Sequence, residues 1–347
     1  MKERNSSFEL MRIIAQYMIV LYHIFLFWFV KEGTQTASIY KIIWIPLHIA
    51  VPLYVLVSGY FGIRFNVRGL MRIIFNCLVY SLLLYLICCF VLRDEYFDYK
   101  ALFFVSNTPY WFIKTYVYLF LCAPILNLIL RQITILQRIF LLGILLWMNC
   151  WIGLMNFDSS LYGGKTLVYF VFLYLIGDTL HVYKDKINHI PLWFMVLLFV
   201  VINSLSIFGG WLGCQQSFSH TRLFNLCYLY TSPLIVIQAI LFFALFMRMT
   251  FVCTPINYMA KSCLAIYLIH GSNLVFRHWI RDGAFYIVGL TQQPLLHILY
   301  VALFSLIIVI GCIIIDKLLT PLWNLSDKIS IAVEHNSYLN KYLQAWR

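Results

Sequence analysis

The sequence ELMRIIAQYMIVLYHIFLFWF fills residues 9–29 and is almost entirely apolar. The hydrocarbon core of a bilayer is about 30 Å thick, and one helix needs about 20 apolar residues to cross it. The run is too long for a cleavable signal peptide, and it contains Arg12 and His23. We therefore expect it to be retained as the first of several transmembrane helices.

Similar apolar runs recur along the rest of the chain, separated by short polar breaks. Of the 347 residues, 63% are hydrophobic and 11% are charged, whereas soluble domains carry about 25% charged residues. The pattern predicts an all-α, polytopic integral membrane protein with about ten transmembrane helices. The predicted crossings are residues 9–29, 41–62, 73–92, 111–130, 139–154, 167–180, 192–209, 226–247, 260–279 and 295–316.

One transmembrane domain, residues 1–316, accounts for nearly the whole chain, and we expect residues 317–347 to form a short cytoplasmic tail. The net charge of +12 comes from Lys and Arg residues scattered between apolar runs. They form no basic stripe of the kind that binds nucleic acid. Their excess in alternate loops instead predicts that both termini face the cytoplasm, in the inner (plasma) membrane.

The ten cysteines predict packing rather than metal or redox chemistry. None forms a CxxC pair or a His/Cys cluster with the spacing of metal ligands, and most lie inside apolar runs. We therefore predict no metal site.

Two ionisable side chains of the first helix fall on one face. Arg12 and His23 are eleven residues apart, which corresponds to about 1100° of rotation, about 20° from full turns, and about 16 Å of rise. Charged and polar side chains inside a membrane are costly and commonly mark functional sites. The pair therefore favours a polar cavity. An interfacial anchor is the alternative for Arg12, and an interhelical hydrogen bond is the alternative for His23.

The depths of other polar residues indicate two layers. His48 on the second helix and His270 on the ninth should lie near the depth of His23, and Ser58 should lie near the depth of Arg12. The inner layer continues into Arg64, Arg68 and Arg72, which share one face if that segment is helical and then suit the phosphates of a cytoplasmic cofactor. Membrane anchoring by positive charge is the alternative for these arginines, and helix packing is the alternative for His270.

At this point the sequence resembles the bacterial acyltransferase 3 family, membrane O-acyltransferases that modify cell-surface polysaccharides. The resemblance covers most of the chain, and the order of its motifs is more specific than any one of them. The motifs are Phe8–Arg12 leading to His23, Val51–Tyr60 ending in Ser-Gly-Tyr, the basic stretch Arg64–Arg72, Trp111–Lys114 leading through Tyr116 to Pro124 and Asn127, and Tyr267–His270. No extracytoplasmic esterase-like domain follows, so we expect a stand-alone member.

The resemblance implies transfer of an acyl group, typically acetyl, from cytoplasmic acetyl-CoA to a hydroxyl of a cell-surface or lipid-linked saccharide. His23 would act as general base or as covalent acyl carrier. Arg12, oriented by Glu9, would bind the donor together with Ser58 and the three following arginines. The acceptor-binding residues would be His48, Trp111, Lys114, Tyr267 and His270.

Two other classes of membrane protein remain open at this stage. A carrier or exporter of a lipid-linked saccharide would also use many helices around a polar cavity. However, Glu9, Asp178 and Asp316 are all expected near helix ends, which leaves no deeply buried carboxylate for a proton relay. A polysaccharide polymerase is expected to have a large basic outer loop, and the outer loops predicted here are short.

Overall fold

The computed structural model describes residues 5–32, 43–87, 89–90, 110–155, 161–215, 222–272, 279–291 and 293–334. Within these ranges the chain is helical and contains no β-strand. Some residues for which the sequence made a prediction lie outside the described part of the chain. They are residues 1–4 and 335–347 at the termini, and residues 41–42 and 91–92 at the ends of two predicted crossings. The all-α class predicted from the sequence agrees with this architecture.

The first half of the chain forms six main helices. They are α1 (Ser6–Glu32), α2 (Ala50–Phe61, preceded by the 3₁₀ turn Ile45–Ile49), α3 (Val67–Ile87), α4 (Trp111–Gln132), α5 (Ile135–Leu146, continued by the π-helical turn Trp147–Ile152 and by Gly153–Met155) and α6 (Leu167–Val182). A 3₁₀ turn, Tyr162–Gly164, precedes α6.

The second half is divided into shorter pieces between its long helices. They are α7 (Lys184–Asn188), α8 (Leu192–Gln215), α9 (Arg222–Tyr228), α10 (Pro233–Met247), α11 (Thr254–Ala260), α12 (Cys263–His270), α13 (Arg281–Gly289), α14 (Pro294–Leu318) and α15 (Thr320–Glu334).

Among the described residues, seven helical segments are long and apolar enough to cross a membrane. Two shorter apolar helices, Ile45–Phe61 and Leu167–Val182, coincide with the predicted crossings at residues 41–62 and 167–180. These segments agree with a multi-pass membrane protein. The number ten stays a prediction, because residues 273–278 of the predicted crossing 260–279 lie outside the described part of the chain.

Two predicted crossings are not continuous helices. The crossing at residues 226–247 breaks between α9 and α10, where Ser232 has extended backbone and caps α10 through a bond to the Leu234 amide. The residue before a proline avoids the helical region, and proline itself begins helices well, so Ser232-Pro233 restarts the chain. The crossing at 260–279 is interrupted between α11 and α12 and turns at Gly271, directly after His270.

Helices α2 and α6 cross with their backbones in contact. A Cβ atom at Gly59 would lie 2.1 Å from the Tyr174 carbonyl oxygen, and one at Gly177 would lie 2.4 Å from the Leu56 oxygen. Small residues at such crossings allow helices in membranes to approach closely. The Tyr174 hydroxyl then donates to the Asn127 Oδ1, 2.7 Å away on α4. The close crossing holds α2 against α6 and so positions one wall of the space between the helices.

Asp316 connects four helices near the end of α14. The hydroxyls of Tyr80 and Ser262 donate to its two carboxylate oxygens over 2.8 and 2.7 Å, and the Trp323 indole N–H lies 3.1 Å from the same carboxylate. Trp323 belongs to α15, which packs along α3. The sequence pattern did not predict this helix, which lies within residues expected to form only a short tail.

We predict that Gly59→Ala destabilises the folded protein, because the added methyl group has no space against the α6 backbone. Overpacking of this kind typically costs about 1–3 kcal/mol. The measurement is the thermal unfolding temperature in detergent, together with the abundance of the protein in membranes. Gly143→Ala on α5 is the matched control, since a Cβ there meets no atom within 4 Å. An equal loss in both variants would contradict the assigned helix crossing.

Candidate active site

A cavity of about 530 Å³ lies between α1, α2, α4 and α12. Its wall is mostly apolar, and several polar side chains lie along it. Arg12 and His23, predicted to share a face of α1, both line it. The lining residues used below are Glu9, Arg12, Gln16, Ile19, Tyr22, His23, Val51, Tyr54, Ser58, Phe61, Trp111, Phe112, Tyr116, Tyr230, Cys263 and Tyr267.

One end of the cavity, called the inner end from the predicted orientation, is built around Arg12. Its guanidinium lies 2.9 Å from the Glu9 carboxylate, one turn earlier on α1. The Arg12 side chain is 27% exposed, whereas the Glu9 side chain is 5% exposed. Glu9 therefore holds one edge of the guanidinium, and the geometry leaves Arg12 at the cavity wall with a charge that a ligand can use.

Ser58 lies in the same section of the cavity, as its predicted depth requires. Its hydroxyl donates to the Tyr54 carbonyl oxygen over 2.9 Å and lies 3.2 Å from the Tyr116 hydroxyl. The Tyr54 hydroxyl reaches across to the backbone oxygen of Arg12, 2.7 Å away. These contacts join α1, α2 and α4 around the inner half of the cavity.

The other end, called the outer end from the predicted orientation, is lined by His23, which contacts His270 behind it; His270 itself, predicted to bind the acceptor, does not line the cavity. The Nδ1 atom of His23 is 3.0 Å from the Nε2 atom of His270, although the two residues belong to α1 and α12. The Nδ1 atom of His270 lies 2.5 Å from the Ile266 carbonyl oxygen, and His270 is fully buried. The sequence predicted that these histidines would share a depth, and the structure brings them into direct contact.

This chain of contacts selects the tautomer of both neutral rings. A carbonyl oxygen only accepts, so Nδ1 of His270 must carry a proton and donate it to Ile266. The Nε2 atom of His270 then has a lone pair and accepts from the Nδ1–H of His23. Consequently His23 has its own lone pair on Nε2. Such a nitrogen can take a proton from a hydroxyl or form a bond to an acyl carbon.

His48 lies beside this pair but behind the cavity wall. Its Nδ1 donates to the Trp44 carbonyl oxygen over 3.0 Å, and it is buried. The ring of Tyr22 packs edge-on against it at 4.8 Å, and Tyr22 itself lines the cavity. The structure therefore places His48 at the predicted depth, where it supports Tyr22.

The predicted acceptor residues on α4 and α12 separate into two groups. Trp111 and Tyr267 line the cavity near His23, and Tyr230 packs 6.0 Å from the Trp111 ring. Lys114 is half-buried and does not line the cavity. A different lysine lies nearby: the Lys165 ammonium is 5.4 Å from the centre of the Trp111 ring.

A family model described as an acyltransferase domain matches residues 5–317. The chain belongs to the acyltransferase 3 family. Comparisons with curated proteins and with solved structures give no significant match. The family predicted from the ordered motifs is confirmed, and the carrier and polymerase classes receive no support from these comparisons.

The basic residues after α2 do not form one surface. Gly62 has a φ of 70° and ends α2, and α3 begins at Val67, so Arg64 lies outside any helix. The shared face expected for a helical segment is therefore realised only for Arg68 and Arg72, both exposed. Arg72 lies 4.0 Å from Asp327 of α15.

Arg64 instead lines a second cavity of about 350 Å³. This second cavity adjoins the first at Phe61, which lines both. Its other charged walls include Arg131 and the Arg138–Asp178 ion pair. Of the four arginines predicted to bind the donor, only Arg12 lines the main cavity, and Arg64, Arg68 and Arg72 do not.

Sequence reasoning missed several residues in or near this cavity. Gln16 is one helical turn after Arg12, so the face shared by Arg12 and His23 already contained the signal for it. Tyr54, Tyr230 and Cys263 reach the cavity only through tertiary packing. Lys165 precedes α6 in a loop and carries no recognisable motif.

We predict that ¹⁵N NMR of histidine-labelled protein shows His23 and His270 with Nδ1 protonated and Nε2 unprotonated. Replacing His270 with Phe removes the acceptor for the His23 Nδ1–H, so His23 should then populate both tautomers. His48→Phe is the control, because His48 bonds to the Trp44 carbonyl oxygen, whereas the acceptor for the His23 Nδ1–H is His270. A protonated Nε2 on neutral His23 in the unmodified protein would contradict the tautomer assignment.

Proposed function

We propose that this membrane acyltransferase is an O-acyltransferase. In this proposal the enzyme lies in the inner (plasma) membrane and transfers an acyl group, typically acetyl, from cytoplasmic acyl-CoA to a hydroxyl of a cell-surface or lipid-linked saccharide. The observation that carries the proposal is the single cavity that is lined by the Arg12–Glu9 pair at one end and by His23 at the other. A guanidinium binds a donor's phosphate, and an imidazole with a directed lone pair supports acyl transfer.

The donor is proposed to enter from the inner end. The helical rise between Arg12 and His23 is about 16 Å, so no compact ligand contacts both residues. An extended pantetheine arm suits such a passage, with the thioester near His23 and the phosphate end near Arg12. Arg64 lines the adjoining cavity, and Arg68 and Arg72 are exposed on α3. We expect these charges to attract the nucleotide phosphates electrostatically.

In the general-base route, the Nε2 lone pair of His23 accepts the proton of the saccharide hydroxyl. The hydroxyl oxygen attacks the thioester carbonyl carbon, and the resulting tetrahedral adduct expels the thiolate as the C–S bond breaks. The thiolate then takes the proton from the His23 imidazolium and leaves as a thiol. During this step His270 accepts the hydrogen bond from His23 Nδ1 and so keeps Nε2 directed at the reaction.

In the covalent route, the same Nε2 atom attacks the thioester carbonyl carbon and the thiolate leaves. The imidazole then holds the acyl group until the saccharide hydroxyl attacks it, and the proton of that hydroxyl ends on the thiol or on solvent. Both routes depend on one lone pair. The tautomer set by His270 therefore matters equally for each.

The acceptor is proposed to bind against the aromatic wall near His23. Trp111, Tyr230 and Tyr267 present ring faces and hydroxyls there, which suit the apolar faces and hydroxyl groups of a sugar ring. Lys165 over Trp111 adds a positive charge at this end.

The buried carboxylates do not favour a proton-coupled carrier. Glu9 and Asp316 are buried, contrary to the expectation that no carboxylate would be. However, Glu9 pairs with Arg12, and Asp316 accepts from Tyr80, Ser262 and Trp323. Both therefore have structural partners that compensate their charge.

We predict that His23→Ala lowers transfer of labelled acetyl from acetyl-CoA to isolated glycan by at least about 10²- to 10⁴-fold, the usual contribution of a general base. Abundance in the membrane should stay normal. The control is His189→Ala, an exposed histidine after α7 and outside the cavity.

Arg12→Lys is the matching probe of the donor end. Lysine keeps the charge and can still pair with Glu9, but it lacks the planar fork of the guanidinium. If Arg12 binds the donor, this variant should have a higher KM for acetyl-CoA. If Arg12 only anchors the helix in the membrane, the KM should not change.

Activity of His23→Ala near that of the unmodified protein would refute the proposed chemistry.

A further inference from the structure

Gln16 is a polar side chain in the middle of the passage between the two ends of the cavity. It follows Arg12 by one helical turn and precedes His23 by two turns. It lines the cavity and is 2% exposed. The cavity lining also includes apolar side chains such as Ile19 and Val51, and the Tyr54 hydroxyl lies 3.1 Å from the Gln16 Oε1. Burying an amide here removes it from water, which costs free energy. Its hydrogen bonds therefore determine whether the buried amide is stabilised.

The Gln16 amide is only partly satisfied within the described protein. The Tyr54 hydroxyl has one proton, which it can give to the Arg12 carbonyl oxygen at 2.7 Å or to the Gln16 Oε1 at 3.1 Å. The Nε2 atom of Gln16 has no acceptor among the described residues. Buried amide groups in proteins are almost always bonded. Gln16 therefore adds to the cavity lining a buried amide whose N–H groups have no acceptor among the described residues.

We propose that Gln16 binds an amide group of the donor's pantetheine arm. This inference rests on the proposed function and extends it by naming the part of the donor that the middle of the cavity recognises. Along the helix axis, Gln16 is about 6 Å from Arg12 and about 10 Å from His23. In a pantetheine thioester, the segment between the phosphate and the sulfur carries two amide groups. A carboxamide such as Gln16 complements an amide, since it offers both a donor and an acceptor.

The depth of Gln16 along the cavity does not match the other parts of the donor. Phosphate oxygens are matched by the Arg12 guanidinium at the inner end, and the thioester must reach His23. Between them the arm meets Gln16 and the hydroxyls of Tyr54, Ser58 and Tyr116. A donor built on a simple alkyl thiol would leave these polar groups unpaired, which is a strong basis for discrimination.

The test compares Gln16→Met with Gln238→Met. Methionine keeps the length of the side chain and removes the amide. Gln238 is an equally buried glutamine, with its Oε1 unpartnered in the described protein and its Nε2 bonded to Ser206, and it does not line the cavity. Kinetics of acetyl transfer from acetyl-CoA are measured for both variants. Pantetheine, which has both amides but no nucleotide, is added as a competitive inhibitor.

We expect Gln16→Met to raise the KM for acetyl-CoA and the inhibition constant of pantetheine by roughly three- to tenfold, with kcat nearly unchanged. This is the pattern of a lost hydrogen bond made equally in the ground state and the transition state. Gln238→Met should leave both constants at their original values.

Several outcomes would overturn the inference. They are unchanged constants in Gln16→Met, equal changes in both variants, a fall in kcat alone, or no inhibition of the unmodified protein by pantetheine. A wild-type protein that transfers no acetyl from acetyl-CoA would instead remove the proposed function itself. If the unmodified protein turns over acetyl-CoA normally and the constants of Gln16→Met are unchanged, only the proposed role of Gln16 would be refuted.

Discussion

The rise and rotation of a single α-helix relate the two ends of the active site. Because Arg12 and His23 are eleven residues apart, they share a face of α1 and are separated by about 16 Å along its axis. The cavity follows that face. Everything else in the site is arranged around it: Glu9 orients the guanidinium, Tyr54 contacts the backbone between the two ends, and α12 brings His270 to the outer end.

An apolar environment makes each polar contact in this site specific. With little water available, a buried donor or acceptor must find a partner in the protein or in a ligand. The Ile266 carbonyl therefore determines the proton on His270, and His270 in turn determines the proton on His23. A histidine whose lone pair is fixed by a second neutral histidine is suited to chemistry in a membrane, where an additional buried charge would be costly.

Sequence reasoning reached the features that depend on local geometry. The membrane class followed from apolar runs, and the Arg12–His23 face followed from helical periodicity. The contact between His23 and His270 could be anticipated only as a shared depth, since its direct geometry depends on α12 ending at Gly271. Arg64 was grouped with Arg68 and Arg72 by spacing alone, and the turn at Gly62 removes it from their helix. The breaks at Ser232 and at Lys261 to Ser262 are short polar interruptions within otherwise apolar runs, which the search for crossings passed over. Helix α15 is amphipathic rather than apolar.

The central claim is that one cavity connects a donor site on the cytoplasmic side with acyl transfer in the outer half of the membrane. It is tested most directly in sealed vesicles of known orientation, with labelled acetyl-CoA on one side and saccharide acceptor on the other. The account predicts acetylation of the saccharide when acetyl-CoA is supplied only at the cytoplasmic face, with no label transferred in the opposite arrangement. Transfer only when donor and acceptor are on the same side would contradict it.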